Sequence, residues 1–112
     1  MSAIRGLRSR LTLEAPVDVA DDNGGVSRSY VTLDTLWAEI SPAPIDGRLV
    51  DDRFVAERME QYVTHHIRLR FRAGMTAAMR FRLGARVFVI HAIEDPDEHR
   101  RFLLCRCEEI KP

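Results

Sequence analysis

The chain has 112 residues, of which 46% are hydrophobic and 30% are charged, and its formal net charge at pH 7 is zero. This composition is typical of one soluble globular domain spanning residues 1–112. No apolar run approaches the roughly 20 residues of a membrane-spanning helix, and the N-terminus lacks the apolar region of a signal peptide. We therefore expect a protein that is made in the cytoplasm and does not enter a membrane.

The first part of the chain predicts a β-hairpin. In RSRLTLEAP, the alternation of apolar and polar residues places both leucines on one face of a strand that ends at Pro16. The cluster DDNGG at 21–25 consists of residues that tolerate positive φ, so it predicts the turn. The returning strand begins near Ser29 and continues through YVTLDTLWAEI, where Asp34 indicates a bend or bulge between two short strands.

A segment of a different kind follows. SPAPIDG, at 41–47, ends the strand, and RLVDDRFVAERMEQY then carries apolar residues at helical spacing, with acids early and an arginine late. This pattern predicts a short helix at about 51–60, inside an inserted loop or helix segment at about 43–62. The alternative is a mobile arm at about 48–62 that becomes ordered only on assembly.

The second half of the chain predicts a run of strands separated by turns. The strands are VTHHIRLRFR, MRFRL, RVFVIHAI and RFLLCRCEEI. Together with the hairpin they give a mainly β fold, which we expect to be a small antiparallel β-barrel or sandwich of six to seven strands with one short helix or arm inserted.

No combination of residues predicts an enzyme. His65 and His66 are neighbours that point to opposite sides of a strand, so they cannot bind one metal ion together. A disulfide between Cys105 and Cys107 would distort their strand, and further soft ligands at a suitable spacing are absent, so we interpret both as small buried hydrophobic residues. Known catalytic motifs are also absent from the sequence. We predict no catalytic residues, no metal and no cofactor.

Two strands carry arginine at every second position. These arginines are Arg68, Arg70, Arg72, Arg80 and Arg82. If the two strands pair, the arginines form one polar face, while Phe71 and Phe81 point to the opposite, core side. A face without aromatic residues cannot stack bases, which disfavours sequence reading but leaves contact with a nucleic-acid backbone open. Two other interpretations also remain: a solvated face, or a contact with the acidic region 14–60 of a neighbouring subunit.

The order of these segments resembles the bacteriophage head–tail joining family, also called head–tail adaptor or head-closure (stopper) proteins. The resemblance covers almost the whole chain and is most specific in three strands. These are TLWAEISP, the strand with Thr64, His65 or His66, Ile67 and Arg70, and the strand with Gly84, Arg86, Phe88 and Ile90.

The resemblance implies a β-barrel subunit, without enzymatic activity, that assembles with itself into a six- or twelve-fold ring. Such a ring lies in the neck of a tailed phage or a phage-like particle, such as a prophage or a gene transfer agent, and is made in the bacterial cytoplasm. It joins the DNA-filled head to the tail, with a portal or adaptor ring above and a tail terminator or tail tube below. DNA passes through its channel without sequence-specific contacts.

In stopper members of the family, a loop between barrel strands projects toward the ring axis and closes the channel. The corresponding segment here is about 43–62, and its channel-facing candidates are Asp46, Arg48, Asp51, Asp52, Arg53, Glu57 and Arg58. The five strand arginines are then candidates for a subunit interface or for DNA contact. Two alternatives stay open: a nucleic-acid-binding β-barrel that uses the arginine face, and a tail-terminator or tail-completion protein.

Overall fold

The structure is a computed structural model that describes residues 6–43 and 63–110. Within these ranges, six antiparallel strands form one sheet that closes on itself as a barrel. The strands are β1 (Ser9–Ala20), β2 (Val26–Pro42), β3 (His65–Arg70), β4 (Arg80–Leu83), β5 (Arg86–Glu94) and β6 (Phe102–Ile110). Their order around the barrel is β1-β2-β3-β6-β5-β4, and β4 pairs with β1 to close it. The predicted mainly β, antiparallel fold is confirmed.

The hydrophobic core fills the inside of the barrel. Alternation along each strand points one set of side chains inward, and these are fully or almost fully buried. Phe81 on β4 and Phe88 on β5 lie opposite each other in the register and are the largest of them. Burying one such side chain contributes about 2–3 kcal/mol from the hydrophobic effect alone. The aromatic pair therefore anchors the β4–β5 side of the barrel.

The two cysteines belong to this core. Cys105 and Cys107 are free thiols on β6 with no exposed surface. Burial raises the pKa of the Cys105 thiol to about 12, and burial together with the neighbouring Cys105 raises the pKa of Cys107 as well. The interpretation of both residues as buried hydrophobic side chains is confirmed.

The first hairpin is longer than the sequence predicted, since β1 does not end at Pro16 but continues to Ala20. β4 pairs with β1 only from Thr12 to Glu14, so beyond that point β1 has one neighbour, β2. A proline is tolerated in such an edge strand because no second hydrogen-bond ladder is present for it to interrupt. Residues 15–31 thus form a two-stranded ribbon beyond the barrel, which we call the projecting hairpin.

A β-bulge marks the base of the projecting hairpin. Leu13 pairs with Asp34 and Glu14 pairs with Thr32, which leaves Leu33 as an extra residue in β2. The irregularity predicted at Asp34 is therefore confirmed, but it does not divide the strand. Instead, β2 runs without interruption through the bulge.

One expectation about neighbouring strands was wrong. β3 pairs with β2 and β6, whereas β4 pairs with β1 and β5, so the two arginine-bearing strands lie in different parts of the barrel wall. The helix predicted at about 51–60 lies outside the described residues, as does all of the segment 43–62 except residue 43. Within the described ranges, none of the secondary structure is a helix of the length and hydrophobicity that a membrane crossing requires.

Candidate interaction surfaces

Arg68 is the first arginine of β3, and its side chain points away from the core. Its Nη2 donates a hydrogen bond of 2.7 Å to the Oε1 of Glu39, directly opposite on β2, and its Nε donates a second one of 3.2 Å. The guanidinium also lies over the ring of Phe102 on β6, 5.3 Å from the centroid. This fork to one carboxylate neutralises the charge of Arg68 within the chain.

The arginines of β4 share a carboxylate on β1. The Nε of Arg80 donates to Glu14 Oε1 at 2.7 Å, and the Nη1 of Arg82 lies 3.5 Å from Glu14 Oε2. Arg80 is also stacked on Tyr30, 3.7 Å from the ring centroid. These groups cover Glu14 so well that its side chain is only 7% exposed. The cluster ties the barrel wall to the base of the projecting hairpin.

Arg70 and Arg72 lie where β3 ends, at the mouth of the barrel from which the projecting hairpin extends. The Nε of Arg72 is 3.4 Å from Asp34 Oδ2, a weak and exposed pair. Arg70 is exposed and makes no ion pair with any residue in the ranges 6–43 and 63–110. Of the five predicted arginines, Arg70 is thus the one that contacts no carboxylate among the described residues.

A cleft opens beside these two arginines. It has a volume of about 210 Å³, and its lining residues are Leu36, Trp37, Leu69, Arg70, Phe71 and Arg72. Trp37 is half exposed on β2, with the guanidinium of Arg10 5.6 Å from its ring centroid. We call this feature the mouth cleft, because it lies where β2 and β3 leave the barrel. Its floor is apolar and its rim is positively charged.

The turn of the projecting hairpin is held by its own side chains. Asp21 Oδ1 accepts hydrogen bonds from the backbone N–H groups of Asn23 and Gly25, at 2.9 and 2.8 Å. Gly24 has a φ of 80°, a conformation that glycine adopts without steric cost. Behind the turn, an ion pair of 2.9 Å joins Asp18 to Arg28 across the two strands. The predicted turn at 21–25 is confirmed and is locally well specified.

The two faces of the projecting hairpin differ in chemistry. One face carries the Asp18–Arg28 pair and Tyr30. The other face continues the core-facing side of β1 into solvent. Among the described residues, six of the seven exposed large hydrophobic side chains lie on β1 or β2, and only Ile110 lies elsewhere. Those six are Val17, Val19, Val26, Val31, Leu33 and Trp37. The register places Val17, Val19 and Val31 on the apolar face, whereas Val26 pairs with Ala20 on the charged face and Trp37 pairs with Arg10 on the outside of the barrel.

This apolar face was not predicted, because Pro16 was interpreted as the end of the strand. The available signal was VDVA after the proline, in which valine continues the two-residue alternation of Leu11 and Leu13. A turn as strong as DDNGG, which needs paired strands on both sides, also indicated a longer ribbon.

The histidines form local contacts instead of a reactive group. His65 is bonded to the hydroxyl of Thr64 at 2.9 Å and packs edge-on against Phe88, with the ring centroids 5.2 Å apart. His91 is 2.9 Å from Glu108. Across the part of the chain that the structure describes, no three His, Cys, Asp or Glu side chains lie close enough together to hold a metal ion.

The predicted site residues therefore do not form one surface. Arg68 and Arg70 belong to one side of the barrel wall, and Arg80 and Arg82 belong to another, with Arg72 in the loop after β3. The predicted channel-facing residues, which are Asp46, Arg48, Asp51, Asp52, Arg53, Glu57 and Arg58, all lie outside the described residues.

Comparison with known proteins places this barrel in a family. The family model for phage head completion proteins matches residues 2–110. A chain from the virion of a native gene transfer agent particle is 27% identical, with a TM-score of 0.61, and the match covers 93% of this chain and 96% of that one. Protein SF1141 from Shigella flexneri 2a has a TM-score of 0.67 at 23% identity, with 96% of each chain covered.

At 23% identity, the similarity to SF1141 shows a shared fold alone. No curated protein sequence matches the chain. The family match carries more weight, because it leaves out only Met1 and the last two residues of the chain. The resemblance to phage head–tail proteins is confirmed, and the chain belongs to the family of phage head completion proteins.

Proposed function

We propose that this protein is a subunit of a homo-oligomeric ring in the neck of a tailed phage or of a gene-transfer-agent-like particle. The ring joins the DNA-filled head to the tail and continues or closes the DNA channel. The observation that carries this proposal is the family match over residues 2–110, together with 27% identity over 93% of the chain to a component of a gene transfer agent virion. The protein acts as a structural part, without catalysis.

The distribution of apolar surface supports assembly with other chains. A monomer rarely concentrates its exposed apolar side chains in one region, and such a concentration marks an interaction site. Here the exposed valines and Trp37 extend from the mouth of the barrel along the projecting hairpin. A subunit that remains part of a particle would bury this surface.

In the proposed ring, the segment at about 43–62 faces the channel. The strand residues on either side of it, Pro42 on β2 and His65 on β3, are partners in the sheet register. Its charges of both signs, from Asp46 to Arg58, suit an element that meets DNA reversibly better than one that clamps it. A portal or adaptor ring above and a tail terminator or tail tube below are the expected partners.

The ion pairs weigh against the rival function of a free DNA-binding barrel. Binding to a DNA backbone gains affinity from arginines that replace counterions on phosphates. Four of the five candidate arginines already contact a carboxylate of this same chain, namely Glu14, Asp34 or Glu39. DNA would have to compete with those carboxylates. The two arginine-bearing strands therefore fit better as a part of the barrel surface that faces solvent or a neighbouring subunit.

The test is to delete the gene in cells that produce the particle and to image the purified particles by electron microscopy. We expect heads and tails that are not joined, or heads that lose their DNA, with normal particles restored by a wild-type copy. A tagged chain should appear at the neck. Complete particles without the chain, or a tag located away from the neck, would overturn the proposal. Tails of uncontrolled length would assign the terminator role instead.

A further inference from the structure

The projecting hairpin and the mouth cleft complement each other but cannot meet within one chain. The hairpin turn and Trp37 lie at opposite ends of the same stretch of β2, and Val26 and Trp37 are about 36 Å apart at roughly 3.3 Å per residue. Because the ribbon extends away from the mouth, its tip cannot fold back into the cleft at its own base. Two such surfaces on one molecule, different and complementary, are what a heterologous contact between identical subunits requires.

We propose that the apolar face of the projecting hairpin docks into the mouth cleft of a second copy of this chain. The inference rests on the proposed function, because it identifies the contact between neighbouring subunits of the ring. Each hairpin would lie across the base of the next one, so the hairpins overlap around the ring in one direction.

The apolar chemistry of the two surfaces matches. Ala15 pairs with Val31 in the register, and Val17 and Val19 follow Ala15 on the same face of the ribbon. Val19 is 52% exposed. The mouth cleft offers an apolar floor and the half-exposed ring of Trp37. Valine side chains are short and rigid, so they can enter such a cleft at little cost in side-chain entropy.

Charge complementarity identifies a second copy as the occupant. Residues 18–25, at the tip of the hairpin, contain three acids, of which Asp18 is paired with Arg28 across the ribbon, so Asp21 and Asp22 give the tip its net negative charge. The rim of the mouth cleft carries Arg70, which lacks an ion pair within the described residues, and Arg72, whose pair with Asp34 is long and exposed. An acidic tip over a basic rim would fix how the hairpin of one subunit is oriented on the cleft of the next.

The contact is small, which fits a ring that assembles inside a particle. Two strands about 5 Å apart over six residues give a face of roughly 200 Å², against about 800 Å² per partner in a stable complex. One such contact would leave the purified chain monomeric at micromolar concentration. A closed ring gains from many contacts at once, because the second and later contacts form at high effective concentration.

Cysteine cross-linking in assembled particles tests the contact, since the native Cys105 and Cys107 are buried and do not compete. Particles carrying the double variant Val19→Cys with Arg70→Cys are treated with a short bismaleimide and separated on a denaturing gel. We expect a ladder of covalent multimers of this chain that extends beyond the dimer. A mixture of the two single variants should give dimers, and Val19→Cys alone should give none.

The matched control is Ala20→Cys combined with Arg70→Cys, because Ala20 lies at the same tip on the opposite face. It should cross-link several-fold less. If Val19→Cys or Arg70→Cys prevents incorporation, the second pair, Val17→Cys with Arg72→Cys, is used in the same way. Self-linkage of Val19→Cys alone, linkage to another particle protein, or no linkage of chains that are present in the particle would each overturn this inference and leave the neck function standing.

A charge exchange gives an independent measurement. Asp22→Arg places a base at the tip of the hairpin, against the basic rim of the neighbour, and we expect the yield of joined particles to fall by roughly tenfold or more. Adding Arg70→Asp should restore most of that yield. Equal loss in the single and double variants would contradict the docking. Absence of even the wild-type chain from particles would instead overturn the proposed function itself.

Discussion

Arg80 on β4 is bonded to Glu14 on β1 at 2.7 Å, and its guanidinium is stacked on Tyr30 of the projecting hairpin. Three strands are thus connected at the point where the hairpin leaves the barrel. The Glu14 side chain is 7% exposed, while that of Arg80 is 25% exposed, so the carboxylate is the buried member of the pair. This contact connects the base of the hairpin to the barrel wall.

Glu14→Gln should therefore destabilise the fold. The substitution keeps the volume but removes the charge that satisfies two guanidinium groups, and we expect the free energy of unfolding to fall by about 1–3 kcal/mol. Urea denaturation followed by circular dichroism measures it. The control is Asp18→Asn, which removes the exposed partner of Arg28 and should have a much smaller effect. Equal losses in both variants would contradict a structural role for the Glu14 cluster.

The core should be most sensitive at its aromatic pair. Phe81 is completely buried between β1 and β5, so Phe81→Ala leaves a cavity that the surrounding strands cannot fill, at a cost of about 3–5 kcal/mol. Phe71, in the loop after β3, is only half-buried, and Phe71→Ala should cost clearly less. Thermal and urea unfolding compare the two variants. A larger loss at Phe71 would mean that the barrel interior is not the main source of stability.

The alternation of the sequence was enough to predict the strands and their buried faces, because each strand needs one face toward a core, but it left a barrel and a sandwich open. It could not predict which strands are neighbours. β3 and β4 look like a natural pair, since each alternates arginine with apolar residues, yet β4 closes the barrel on β1. That pairing depends on contacts between residues about 66 positions apart, such as Glu14 and Arg80, which local patterns do not report.

The ion-pair partners of the arginines could not be predicted from the sequence either. One interpretation paired them with the acidic region 14–60 of a neighbouring subunit, whereas Glu39 faces Arg68 within the same chain because β2 and β3 pair in that register. The projecting hairpin was missed for the opposite reason. Proline is a reliable end to a central strand, but Pro16 lies where β1 has become an edge strand.

The native thiols should resist modification. Burial raises the pKa of Cys105 to about 12, and that of Cys107 is raised too, so neither thiolate forms at neutral pH in the folded chain. Ellman's reagent should detect no fast-reacting thiol in native protein and two after unfolding in guanidinium chloride. The rate of labelling in mild denaturant then reports opening of β6. Rapid labelling without denaturant would contradict the closed barrel around these residues.

Stability should decrease below neutral pH because of His66. Burial lowers the pKa of His66, and the nearby charge of Arg106 lowers it further, while Glu94 opposes them. The unfolded chain therefore binds the proton more readily than the folded one. The stability that neutral His66 supports is present above its ordinary pKa of 6.5 and is lost as the pH falls through the depressed value.

His66→Gln should weaken this pH dependence. Urea unfolding of both proteins at about pH 7.5 and about pH 5.5 would show a smaller difference for the variant. An NMR titration of the imidazole gives the pKa directly, and a value above 6.5 would contradict the expected sign.

The arginine strands should bind DNA weakly. Arg68 is paired with Glu39, and Arg80 and Arg82 share the carboxylate of Glu14, so DNA releases fewer counterions here than it would from five unpaired arginines. Fluorescence anisotropy with a short duplex at physiological salt should give a dissociation constant no tighter than about 10⁻⁴ M. Arg68→Glu should change this little while also breaking the Glu39 contact and lowering stability. Tight, strongly salt-dependent binding that Arg70→Glu or Arg82→Glu abolishes would instead favour the DNA-binding barrel over the ring.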